Sequence, residues 1–282
     1  MLRILDSSSL ALNLDSLGFE EKALKDIRRA VKTPFGMILV TGPTGSGKTT
    51  TLYSSLKEIL SVQDNVITVE DPVEYQLEGV NQVPINEKRG LTFAAALRSI
   101  LRQDPDKIMI GELRDLETIE IAVKAALTGH LVLSTLHTNS AAATITRMVD
   151  MGVDPFLVAS TVLLVAAQRL GRRLCPECKE PYEPDPEILE DVGVTEEDLA
   201  QEPTFYKPVG CSRCAYGYKG RFAILETLPM TNTIKRMVIQ GMTEIDIHEK
   251  AEEEGMLSLR RVCLINALRG VTSLEEVMRV TA

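Results

Sequence analysis

The sequence has little of what a membrane-spanning or secreted protein requires. The uncharged stretch after Asp154, from Pro155 to Ala167, falls well short of the ~20 apolar residues that a membrane helix needs. The N-terminal residues do not read as a secretion signal. Positive charge is also in deficit: 31 Lys and Arg against 40 Asp and Glu give a net charge of -9, so no general surface for nucleic acid or anionic membrane is predicted. Histidine is scarce, with 3 in the chain, and of 5 cysteines four form two Cys-x-x-Cys pairs. In a chain that reads as cytosolic, that pairing favours a metal over disulfides. The 282 residues, 44 % hydrophobic and 25 % charged, leave room for about two domains with a real core.

What is present is organised around Gly42-Pro43-Thr44-Gly45-Ser46-Gly47-Lys48-Thr49, which fits the phosphate-binding pattern G-x-x-x-x-G-K-[ST]. Met37 to Val40 ahead of it is a short apolar run of strand character, and Thr50 to Leu60 behind it repeats apolar residues at helical spacing. That strand, loop and helix context is what the pattern requires. The glycines let loop amides turn inward toward a polyphosphate at the positive end of the following helix. Lys48 supplies a point charge, Thr49 a hydroxyl for Mg2+, and Thr50 continues the binding segment.

Downstream, strands are expected at Met37 to Thr41, Val66 to Glu70, Lys107 to Ile110 and Leu131 to Thr135, with helices at Glu20 to Lys32, Thr49 to Leu60, Phe93 to Arg102 and Glu117 to Thr128. Short apolar strands alternating with helices imply an α/β fold with a parallel sheet covered on both faces. Ligands in such sheets lie beyond the C-terminal strand ends. After the second strand comes Glu70-Asp71-Pro72-Val73-Glu74, and after the third Gly111-Glu112-Leu113-Arg114-Asp115. One carboxylate there can hold Mg2+ and a second can orient the attacking water. Glu112 suits the first role; for the second, spacing leaves Glu70, Asp71 and Glu74 open. His130 and His137 flank the fourth strand.

Toward the C-terminus, Cys175-Pro176-Glu177-Cys178 is answered by Cys211-Ser212-Arg213-Cys214 across an acidic insert. Two such turns complete a closed tetrahedral Zn2+ site with no open position for catalysis. Cys263 lies in a helical pattern and reads as a buried small hydrophobe. From Asn232 the chain reads as helices, with a start at Thr243 and a capping-box pattern at Ser273.

Together, the Gly42 to Thr49 loop, Glu70 to Glu74, Leu101 to Asp106, Gly111 to Asp115 and the two-histidine segment resemble the secretion ATPase superfamily, and more narrowly its type II secretion and type IV pilus assembly ATPases. The resemblance runs over nearly the whole chain. It implies a RecA-like P-loop ATPase core at 34–170, preceded by a remnant of another domain and a linker helix at 1–33, and followed by a zinc module at 171–225 and a helical region at 226–282. By position it makes Glu74 the water-activating carboxylate, Glu112 the carboxylate near Mg2+, and His130 and His137 readers of the γ-phosphate. Arg3, in a segment like the last strand of the family's preceding domain, would reach the nucleotide of a neighbouring subunit. The resemblance further implies ATP and Mg2+, a homo-hexamer, a platform protein of the inner membrane as partner, and a place at that membrane's cytoplasmic face. No direct nucleic-acid contact is expected. The cysteine insert marks assembly and secretion members rather than retraction motors. One departure is visible: the segment from Cys214 to Arg221 is one residue shorter than the family's pattern, which predicts a different turn after the second cysteine pair. A related motor for DNA uptake or conjugation, and a nucleotide-gated adaptor, are the alternatives.

Overall fold

The computed structural model describes residues 12–281; Arg3 lies outside them. A helix α1 (Glu21–Val31) leads into β1 (Gly36–Thr41), the phosphate loop and α2 (Lys48–Ile59). There follow β2 (Val66–Glu70), β3 (Asn81–Pro84), α3 (Phe93–Ile100), β4 (Lys107–Ile110), α4 (Leu116–Leu127), β5 (Leu131–Leu136), α5 (Ala141–Asp150) and α6 (Pro155–Thr161). Then come the long strand β6 (Val162–Leu174), the short β7 (Glu180–Pro181), α7 (Pro186–Val192), α8 (Glu196–Leu199), β8 (Tyr206–Lys207) and a second long strand, β9 (Tyr218–Pro229). Four helices complete the chain: α9 (Asn232–Ile239), α10 (Glu244–Glu253), α11 (Leu259–Leu268) and α12 (Leu274–Thr281). Among the described residues no helix is long and apolar enough to cross a membrane.

The main sheet has the order β3-β2-β4-β5-β1-β6-β9. Its pairs are parallel except β6 with β9. All four expected strands are present, and the continuous burial of β1 and β5 is what coverage of both faces demands. Along β1 the two cores separate by alternation: Met37 and Leu39 join the cluster under α3, α4 and α5, whereas Ile38 and Val40 join the one under α1 and α2.

Beyond that frame, β6 and β9 add two strands to the same sheet. Positions 170 and 225, where the sequence suggests divisions, fall inside them. The fully buried Glu276 of α12 accepts from Arg172 Nη2 at 2.6 Å and from Arg279 Nη2 at 2.6 Å, locking the last helix onto β6. Ser273 Oγ accepts from the Glu276 amide, but the Glu276 carboxylate is taken by these arginines, so only half of the expected capping box forms. Buried Glu226 of β9 accepts the first amides of two helices, Ala141 N of α5 at 2.7 Å and Leu259 N of α11 at 3.2 Å. Those two bonds tie α5, which follows the second histidine, and α11 to β9.

Candidate nucleotide site

The loop from Gly42 to Gly47 leaves β1 at its C-terminal end and delivers its chain into α2, with Lys48 as the first helical residue. Gly47 has φ +90°, and a Cβ at Gly42 would lie 2.3 Å from the backbone oxygen of Gln168, so neither position accepts a side chain without displacing the loop. Lys48 Nζ donates to Gly42 O at 2.8 Å and Pro43 O at 3.1 Å. Burial, and then the neighbouring charge of Arg169, push its pKa down. The Ser46 hydroxyl is buried with no hydrogen-bond partner among the described residues. A loop that holds its lysine on its own carbonyls and leaves a polar atom unsatisfied suits a polar, anionic ligand.

The loop opens on a cleft of about 1060 Å3 whose walls include Thr49, Thr50, Glu74, Glu112 and His137. Glu112 follows β4 in a segment stapled to β5 on both sides: Thr135 Oγ1 donates to Gly111 O at 2.7 Å, and Leu113 N to Thr135 O at 2.9 Å. Its carboxylate meets His137 Nε2 at 3.0 Å and accepts a hydrogen bond from Arg114 Nε. Burial, followed by the charges of Lys48 and Arg114, lowers the pKa of His137. Thr41 and Thr138 hydroxyls, 2.6 Å apart, hold the start of the phosphate loop to the segment after β5.

Among the three carboxylates left open by spacing, the structure separates their surroundings. Glu70 lines the cleft but is buried and accepts from Tyr53 Oη, Thr68 Oγ1 and Gln82 Nε2. Asp71 lies 3.6 Å from Arg114. Glu74 lines the cleft in a loop clipped by Gln82, whose Nε2 donates to Tyr75 O at 2.9 Å and whose Oε1 accepts from Leu77 N at 2.7 Å.

His130 is not brought to the cleft. It sits just ahead of β5, its Nδ1 2.9 Å from Ala125 O at the end of α4. The length of β5 puts it roughly 20 Å from His137. It is not among the residues that line the cleft, and its ring sits against the end of α4. Gln168, Arg221 and Phe222, which the motif pattern did not mark, do line the cleft. The only signal for Gln168 was a polar residue closing an apolar run.

The four cysteines converge as expected. Their sulfurs all lie within 4.8 Å of one another, with Cys175 to Cys211 at 3.9 Å, Cys178 to Cys214 at 3.7 Å and Cys211 to Cys214 at 3.6 Å. Tetrahedral ligands at a Zn–S bond of about 2.3 Å stand about 3.8 Å apart, so the cluster fits zinc. The shortened segment after Cys214 folds as a two-residue hairpin: Ala215 and Tyr218 exchange backbone bonds, with Tyr216 at φ +52° and Gly217 at φ +83°. That is the left-handed pair a tight primed turn requires.

The parallel sheet, the glycine loop at the end of β1 and the carboxylates beyond β2 and β4 define a P-loop nucleotide-binding protein of the RecA-like α/β class. The chain belongs to the family described as Type II/IV secretion system protein, whose model matches residues 1–279. It is 53 % identical over 283 residues to the type IV pilus assembly ATPase PilB of Acinetobacter baylyi, covering 100 % of this chain and 49 % of that protein. It is 47 % identical over 282 residues to the type II secretion system protein E of Dickeya dadantii, covering 100 % of this chain and 55 % of that protein. The chain thus spans about half the length of these curated relatives. Among solved structures, the pilus retraction motor PilT with bound ADP superposes with a TM-score of 0.71 at 30 % identity, over 98 % of this chain and 68 % of that one.

Proposed function

We propose that this chain is the ATP-hydrolysing part of a motor that drives assembly of a type IV pilus or a type II secretion pseudopilus. The observation that carries the reading is one cleft that brings Glu74, Glu112 and His137 to face the phosphate loop. Lys48 is held on loop carbonyls and would exchange them for phosphate oxygens. Thr49 and Glu112 would hold Mg2+, which neutralises charge developing on the transferred phosphoryl group when bound. Glu74 orients and deprotonates the attacking water, and His137, whose Nε2 is tied to Glu112, holds that carboxylate in place beside the phosphate site. Cys175, Cys178, Cys211 and Cys214 hold a structural zinc ion.

The relatives' names support assembly and secretion over a DNA-translocating motor, and the net charge of -9 agrees. We assign the motor to a homo-hexamer acting on a platform protein at the cytoplasmic face of the inner membrane, with Arg3 reaching the nucleotide of a neighbouring subunit as part of the same proposal. Mg-ATP turnover measured against protein concentration, with Lys48→Ala as the blank, tests it. A rate per subunit that climbs with concentration is expected for sites shared between subunits. Nucleotide binding that survives Lys48→Ala unchanged would remove the phosphate loop from the reading.

A further inference from the structure

Strand β6 pairs with β1 only as far as Thr41 opposite Ala167. There β1 turns away into the phosphate loop while β6 runs straight on, so the next residue, Gln168, is presented to the loop. It is 2 % exposed, and both ends of its amide are used. Nε2 donates to Ser46 O at 2.9 Å, and Oε1 accepts from Thr51 Oγ1 at 2.7 Å on the first turn of α2. Its backbone oxygen is the atom that leaves no room for a Cβ at Gly42, and its Nε2 lies 2.9 Å from where a Cβ at Gly47 would stand. One residue therefore meets the loop at both ends, its backbone at Gly42 and its side chain at Ser46 and Gly47.

We propose that Gln168 is the positioning residue for the phosphate loop: its amide fixes the carbonyl of Ser46 outward, which turns the following loop amides toward the ligand, and it pins the first turn of α2 behind them. The inference rests on the loop being a nucleotide site. A plane of donor and acceptor is needed because one partner is a carbonyl and the other a hydroxyl. Leucine at this position offers neither, and a glutamate would set a carboxylate against Ser46 O.

The test is equilibrium binding of a fluorescent ADP analogue with Mg2+ to the wild-type protein, Gln168→Leu, Thr51→Val and the double variant, with zinc content and circular dichroism as checks on folding. Gln168→Leu should weaken binding by about tenfold or more, given the two bonds lost and the buried carbonyl left unpaired. The near-isosteric Thr51→Val should lose less, Thr51→Ser should recover it, and the double variant should be no weaker than Gln168→Leu alone. A residue that only stabilised the fold would lower the melting temperature and leave the affinity unmoved, and that result would overturn the proposal. Wild-type protein that binds no nucleotide would instead refute the site itself, and the positioning role with it.

Discussion

At the scale of single residues, the carboxylates divide by their surroundings rather than by their spacing. Glu70, Asp71 and Glu74 all line the cleft, but Glu70 ends a buried strand and accepts three hydrogen bonds, whereas Glu74 stands four residues on in the loop beyond it. Glu74→Gln should therefore bind nucleotide as the wild type does and lose turnover by a factor of about 100 or more, the scale of a missing general base. Tyr53→Phe should act on the other carboxylate. It removes one donor from buried Glu70 and costs about 1–3 kcal/mol of stability in denaturant unfolding, with nucleotide affinity little changed. If Tyr53→Phe stopped turnover at unchanged stability, Glu70 and not Glu74 would be the working carboxylate. Spacing could not make this choice, because it records neither the tyrosine on α2 nor the glutamine on β3.

Among the elements, β1, β2, β4 and β5 are legible as continuous apolar runs between turn signals, and the helices between them follow within one or two residues. Strands β3, β6 and β9 are not. The run from Val162 to Ala167 lacks the alternation that marks a half-buried strand, and its continuation, Gln168 to Leu174, carries three arginines. Those charges make sense only once their partners are in place, as with Arg172 on Glu276 and over the Tyr218 ring at 4.0 Å. Burial opposes the ionisation of Glu276, but bonds from Arg279 and Arg172 outweigh it and hold the carboxyl at about 2, below its ordinary 4.5. The sign follows directly: the unfolded chain takes up this proton first as pH falls. The stabilisation is complete above about 4.5 and is lost progressively toward about 2. Glu276→Gln should flatten the melting temperature against pH across that window; an unchanged slope would mean that the ion pairs do not hold α12 down.

For the molecule as a whole, the four-cysteine cluster and the phosphate loop stand at two ends of one strand. Zinc should be present at one ion per chain by elemental analysis. Its removal by a chelator should unfold the segment between β6 and β9 while the parallel core keeps its circular dichroism, since the metal is folding free energy for the knuckle alone. From Gln168 to Cys175, seven residues at about 3.3 Å give an arm of roughly 23 Å. Past Ala167 the arm pairs with β9 and no longer with β1. A two-stranded ribbon with α12 locked along it moves as one stiff body, and such a body pivoting at the nucleotide end is a lever. A tilt of about 10° at the nucleotide end carries the metal end through about 4 Å, a distance a rigid insert can deliver to whatever rests on it. Spin labels at exposed Val62 and Leu199 should report such a displacement when nucleotide is added to the zinc-loaded protein, and an unchanged distance would mean that the arm is only a spacer.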